Sequence, residues 1–165
     1  MVDNAYGSDA DFTAYHEGRN RDLTGIDPDD IAGARLVASE WLDARWRAAF
    51  PGLKVGQRAQ LREWPRAGAN DIYGYAVPST SVPAEVENAT YEAALREVQK
   101  PGSLSVDFTP NKYKTASVDG AVSVQYARYN SASDVQTDFA IITEILTPIL
   151  RSMVGSTLSG GASRV

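Results

Sequence analysis

Apolar side chains recur at helical spacing in several stretches of this chain and at strand spacing in one. Ser8 can cap a helix over positions 9–17, and Gly18 can end it, so that Phe12 and Tyr15 share one face. Asp27–Pro28 is a stronger start, a capping carboxylate followed by proline at the first helical position, where no N–H is needed. Asp29 and Asp30 add negative charge in the first turn, where the helix dipole favours it. Ala34, Val37, Ala38, Trp41, Leu42 and Ala48 then form one apolar stripe on a helix expected to run to about Ala49, before Pro51–Gly52 stops it.

Positions 55–63 leave room for one or two short helical turns. In Trp64–Pro65–Arg66–Ala67–Gly68, proline keeps Trp64 out of the helical region and Gly68 permits a tight turn. Positions 69–80 read as an irregular loop. Ser81–Val82–Pro83 opens the next helix, whose stripe is Val86, Ala89, Thr90, Ala93 and Ala94, and Pro101–Gly102 ends it.

The period then changes. Asp119–Gly120 is a two-residue hairpin signal that sets Ser117 opposite Val122, Thr115 opposite Val124 and Tyr113 opposite Tyr126. Lys112, Lys114, Gln125 and Ala127 fall on the other, more polar face. Ser133 to Gln136 fits a capping box for a last helix carrying Val135, Phe139, Ile142, Ile145, Leu146, Ile149, Leu150 and Met153. Ile141 widens that stripe, as for a helix covered from two sides, and Pro148 is expected to kink or divide it. The expected fold is mainly α: a bundle of four to five helices with one β-hairpin near 112–128, forming a single domain over 1–154. Residues 155–165, GSTLSGGASRV, have linker composition and are expected to be a flexible tail that partners order.

The chain has 165 residues and is 43% hydrophobic, enough for one real core. Its formal charge of -5 does not suit wrapping duplex DNA, which rests on many Lys/Arg–phosphate contacts, although a local basic lining remains compatible. The chain contains no cysteine, which excludes disulfides, thiolate zinc sites, iron–sulfur clusters and a cysteine nucleophile. Residues 1–11 are acidic and polar, unlike a secretory leader. The longest apolar stretch, 139–150, is interrupted by Thr143, Glu144, Thr147 and Pro148 and falls short of the roughly 20 residues of a membrane span.

Catalytic chemistry finds little support. His16 is the one histidine, with no partner suggested by spacing, and is expected to be a surface or half-buried side chain. Asp27, Asp29 and Asp30 lack the glycine and closing glutamate of a calcium loop and read as a helix start. Gly160–Gly161 has no strand-to-helix context for a phosphate cradle. The expectation is no enzyme, no metal and no cofactor. Basic and aromatic residues do interleave, at Arg45–Trp46–Arg47, Lys112–Tyr113–Lys114 and Arg128–Tyr129, the pairing by which single strands are held. Trp41, Trp46 and Trp64 are expected chiefly in the core.

The order of motifs is itself informative. It runs through Ala38–Ser39–Glu40–Trp41–Leu42–Asp43–Ala44–Arg45–Trp46, the Trp64–Pro65–Arg66–Ala67–Gly68 turn, and Val82–Pro83–Ala84–Glu85–Val86 opening a helix. Val122–Ser123–Val124–Gln125–Tyr126–Ala127 and Ile145–Leu146–Thr147–Pro148–Ile149–Leu150 complete it. This resembles a family of tailed-phage proteins coded among the head and neck genes, often described as DnaT-like single-stranded-DNA-binding proteins. Its architecture is similar to head–tail connector (adaptor) proteins. The resemblance implies a virion neck protein made in the host cytoplasm. It would form a homo-oligomeric ring, a dodecamer, beneath the portal, and would join the portal to a stopper or tail-completion protein while DNA passes through the lumen. On that reading Phe139, Ile142, Ile149, Met153, Leu158, Arg164 and Val165 are the expected portal or partner interface. Lys112, Lys114, Asp119, Gly120 and Gln125 are the expected hairpin interface. The alternative is a DnaT-like accessory protein that binds single-stranded DNA.

Overall fold

The computed structural model describes residues 4–105 and 138–151, together with the strand backbones of 115–118 and 122–125. The element order is α1 (Asp9–Glu17), α2 (Pro28–Trp46), β1 (Leu53–Lys54), a 3-10 turn at Gln57–Ala59, β2 (Arg66–Ala67), α3 (Ala84–Gln99), β3 (Thr115–Val118), β4 (Val122–Gln125), α4 (Ala140–Leu146) and a 3-10 turn at Thr147–Ile149. The fold is mainly helical with an antiparallel hairpin, as the periodicity predicts. The small β1–β2 ladder, Leu53 with Ala67 and Lys54 with Arg66, is additional.

The helix starts follow the capping chemistry. Ser8 Oγ accepts from the Asp11 N–H at 3.1 Å, and Asp27 Oδ1 accepts from the Asp29 N–H at 3.0 Å. Gly18 ends α1 in a right-handed conformation; the left-handed residue in the following turn is Asn20, at φ 52°. α2 stops at Trp46, and Ala48, placed on its stripe by periodicity, is exposed. Gly68 takes φ 67°, as its turn requires, and the Trp64–Pro65 bond is cis.

α2 packs along α3, α4 packs on α3, and α1 lies against both α2 and α3. Ala34, Ala38 and Leu42 from α2 share one buried core with Val86, Ala89, Ala93 and Ala94 from α3, a seam built largely of small side chains. Phe12, Ile142, Leu146 and Ile149 extend this core, and Phe50 and Trp64 close it with an edge-on ring contact at 5.6 Å.

Three expectations change. The hairpin pairs Thr115 with Gln125, Ala116 with Val124, Ser117 with Ser123 and Val118 with Val122, one residue out of the predicted register. The observed register groups positions 116, 118, 122 and 124 on one face, whereas a two-residue turn would separate Val118 from Val122 and Val124. Tyr113, Tyr126 and residues 119–121 lie outside the described residues. α4 starts only at Ala140, because Phe139 has φ -93° and ψ 88°, and its helix passes into the 3-10 turn that contains Pro148. The capping box at Ser133 to Gln136 lies outside the described residues. Ile142 and Ile149, expected at a partner interface, are buried in the chain's own core, and Ile141 rather than Ile142 faces solvent.

Several polar groups are buried with partners. Arg35 donates to Asp9 Oδ1 at 2.6 Å and to the Tyr6 and Gly7 carbonyls at 3.1 and 2.7 Å. Tyr6 donates its hydroxyl proton to Asp43 Oδ1 at 2.6 Å and accepts from the Trp64 N–H at 3.1 Å. Burial, then the neighbouring Asp43 charge, raise the Tyr6 pKa; burial likewise raises that of Asp43.

His16 is fully buried, not a surface group. Its Nε2 lies 3.1 Å from the Tyr91 carbonyl and its Nδ1 3.4 Å from an Arg21 nitrogen, so a neutral ring donates at Nε2 and accepts at Nδ1. Burial holds its pKa below the ordinary 6.5. The unfolded chain therefore binds this proton more readily. Stability from His16 is complete above pH 6.5 and declines as pH falls through the lower folded value. Chemical denaturation at a series of pH values should show that limb in the wild type and not in His16→Gln. An unchanged limb would assign it to other groups.

Candidate nucleic-acid interface

The last turn of α3 and the residue before α4 frame an open groove of about 450 Å³, lined by Arg96, Gln99, Lys100, Phe139 and the Pro101–Ser103 turn. Pro101–Gly102 ends α3, with Gly102 at φ 82°. Glu97 fastens the turn: its Oε1 accepts from the Gly102 N–H at 2.6 Å, and its Oε2 accepts from the Leu104 N–H and the Ser103 hydroxyl, both at 3.2 Å. One wall of the groove is thus held by backbone and carboxylate bonds.

The other side is built from rings and cations. Arg96 stands with its guanidinium carbon 5.1 Å from the Phe139 ring centroid. Phe139 is edge-on to Trp41 at 5.7 Å, and Trp41 is edge-on to Trp46 at 5.2 Å. Arg45 lies 5.7 and 5.2 Å from those two indole rings and reaches Asp138 at 3.5 Å. Lys100 is exposed at the rim.

Arg96 is held from behind. Its Nη1 donates to the Glu92 carbonyl at 2.5 Å and to Glu92 Oε2 at 3.1 Å. The buried Glu92 carboxylate also accepts from Arg21 at 2.8 Å and from the Tyr15 hydroxyl at 3.0 Å. Burial alone would raise its pKa, but these donors outweigh burial and hold it below the ordinary 4.5. Tyr15, half-buried against that charge, is pushed up to about 12.

The sequence motifs are redistributed. In Arg45–Trp46–Arg47, Trp46 is buried and presents no open stacking face, while Arg47 turns back to the Asp43 carbonyl at 3.2 Å. Phe139, expected to face a partner, lines the groove. Arg96, Gln99 and Lys100 were not anticipated. Their one advance signal is the i,i+4 spacing of two cations in the last turn of a helix, which by itself reads as a solvated face. Gln125 is described through its strand backbone. Lys112, Lys114, Asp119, Gly120, Met153, Leu158, Arg164 and Val165 lie outside the described residues, as do Tyr113, Arg128 and Tyr129. Asp27 caps α2, and no acidic or histidine cluster able to hold a metal occurs among the described residues. No described helix is long and apolar enough to cross a membrane.

Cations beside aromatic edges in an open groove are the elements of a single-strand site, where phosphates meet charge and bases meet rings. The model of a family described as "Putative DnaT-like ssDNA binding protein" matches residues 2–165. The chain belongs to this family. No curated protein and no solved structure matches it. The family match agrees with the DnaT-like half of the sequence resemblance; its connector half receives no support from the comparisons.

Proposed function

We propose that this chain binds single-stranded DNA, with the groove between Lys100, Arg96 and Phe139 as its contact. The observation that carries the reading is the convergence of two cations and an aromatic ring at one open groove, in a chain that matches the DnaT-like family along nearly its whole length. Lys100 and Arg96 would hold phosphates, and the accessible edge of Phe139 would support a base. Elsewhere Arg35, Arg62 and Arg66 turn inward to carboxylates and carbonyls, which takes them out of reach of a phosphate.

Fluorescence anisotropy with a labelled oligothymidylate tests this. Lys100→Glu should weaken binding by roughly tenfold, and Phe139→Leu by about threefold, less than the ~1–3 kcal/mol of a fully stacked base because only the ring edge is open. Log affinity should fall against log salt with a slope of roughly -1.4, the value for two phosphate contacts on a single strand. Wild-type affinity in both folded variants would remove the groove from the reading. Binding absent at low salt in the wild type would remove the activity itself.

A second reading is a structural component of a phage neck, the ring expected from the motif order. It is favoured by large apolar side chains left in water, Leu53 75% exposed, Leu61 67%, Tyr73 75% and Tyr75 73%, each of which protein neighbours could cover. Mass spectrometry of DNA-filled particles separates the two. A copy number near that of the portal protein supports the neck role, and absence from particles supports the DNA-binding accessory.

A further inference from the structure

A second cleft, of about 340 Å³, shares no lining residue with the groove and lies between the loop after β2 and the start of α3, with Ile149 beside it. Its walls include Tyr75, Val77, Val82 and Ile149, and two carboxylates, Asp71 and Glu85, line it as well. Neither carboxylate forms an ion pair among the described residues. The cleft is a built feature. Asp71 Oδ1 accepts from the Tyr73 and Tyr75 N–H groups at 2.9 and 2.8 Å, which sets the loop, and the Ile72 N–H donates to the Pro148 carbonyl at 2.8 Å. A cleft that sets apolar side chains beside two carboxylates with no ion-pair partner among the described residues suits a segment that brings one cation and small apolar side chains.

The sequence contains such a segment, and it starts beside the cleft. Ile149 is in the wall, and the Arg151 N–H is tied to the Ala49 carbonyl at 2.8 Å. Residues 152–165 follow as SMVGSTLSGGASRV, in which Arg164 is the one charged side chain and Val165 and Leu158 are apolar. The span from Arg151 to Arg164 reaches up to roughly 40 Å when extended, ample for a return to the cleft. Closing a loop of this length within one chain costs little more than closing a shorter one.

We propose that residues 152–165 dock into this cleft on their own chain, with Arg164 paired to Asp71 and Glu85 and Val165 on the apolar wall. The inference does not rest on DNA binding. The test uses the full chain and a labelled peptide of residues 155–165, read by anisotropy at low salt. In the Arg164→Glu chain the cleft is vacated, and the peptide should bind at least tenfold more tightly than it does to the wild-type chain. Adding Glu85→Gln to that chain should remove most of the gain, and Glu85→Lys all of it. Equal peptide binding by wild-type and Arg164→Glu chains would overturn the docking, as would binding indifferent to both Glu85 variants. Wild-type self-association that Arg164→Glu abolishes would also overturn it, by assigning the cleft to the segment of a second copy.

Discussion

Arg35→Ala is expected to lower the stability of the chain by roughly 3 kcal/mol, a fall of about 6–12 °C in Tm for a chain of this size. Arg35 is completely buried in the middle of α2, and its guanidinium ties that helix to the segment before α1. It holds the Asp9 carboxylate and the carbonyls of Tyr6 and Gly7 at once. Alanine would leave those acceptors without their donor and open a cavity beneath them. Gly7 shows how tightly the segment is seated. It has φ 69°, and a Cβ there would come within 2.0 Å of the Tyr91 hydroxyl. Arg35→Met fills most of the volume without restoring the bonds, so it should recover only part of the loss. Thermal unfolding of both variants decides the matter. A Tm within about 1 °C of wild type for Arg35→Ala would mean that the segment before α1 is not clamped by this residue.

Glu92→Ala should cost about 3 kcal/mol, and its effect should extend to the groove. The carboxylate is buried and shared by Arg21, Arg96 and Tyr15. Removing it leaves two guanidinium groups without their anion. Each keeps about a third of its side chain in water, at 31% and 30%, which holds the cost to the lower end of the range for broken buried pairs. Arg96 would lose its carboxylate partner and keep only the bond to the residue 92 carbonyl, so it would be held less firmly beside Phe139 and oligothymidylate affinity should fall as well. Glu92→Gln keeps the shape and one acceptor, and should retain more stability than Glu92→Ala. The linkage has a definite sign. The folded carboxylate titrates below its ordinary 4.5, so its contribution is present above pH 4.5 and is lost as pH falls through the lower folded value. Urea midpoints at pH 7 and pH 3 should therefore differ more for the wild type than for Glu92→Gln. Equal pH dependence in the two would show that Glu92 is not an effective anion in the fold.

Local signals were legible wherever a short stretch of chain carries its own cause. Ser8 and Asp27 start helices because the side chain that satisfies the helix end is adjacent in sequence, and Pro83 precedes α3 with its φ fixed at -65° by the ring. The stripe of α3 was legible because five positions at helical spacing all turn inward. The family resemblance likewise rests on contiguous motifs such as the Trp64–Gly68 turn.

Tertiary structure alone decided the rest. Arg35 and His16 look like ordinary surface residues until segments from elsewhere in the chain supply their partners, the Tyr6 and Gly7 carbonyls and the Tyr91 carbonyl. The hairpin pairs one residue away from the register that Asp119–Gly120 implies, because a turn dipeptide does not by itself fix which residues of the two strands face each other. Ile142 and Ile149 met their own core instead of a partner because α4 packs on α3. The groove exists because that same packing brings Phe139 beside Arg96 and Lys100. A helical period assigns a residue to a face, but what covers the face depends on long-range contacts whose energy is absent from any single segment of sequence.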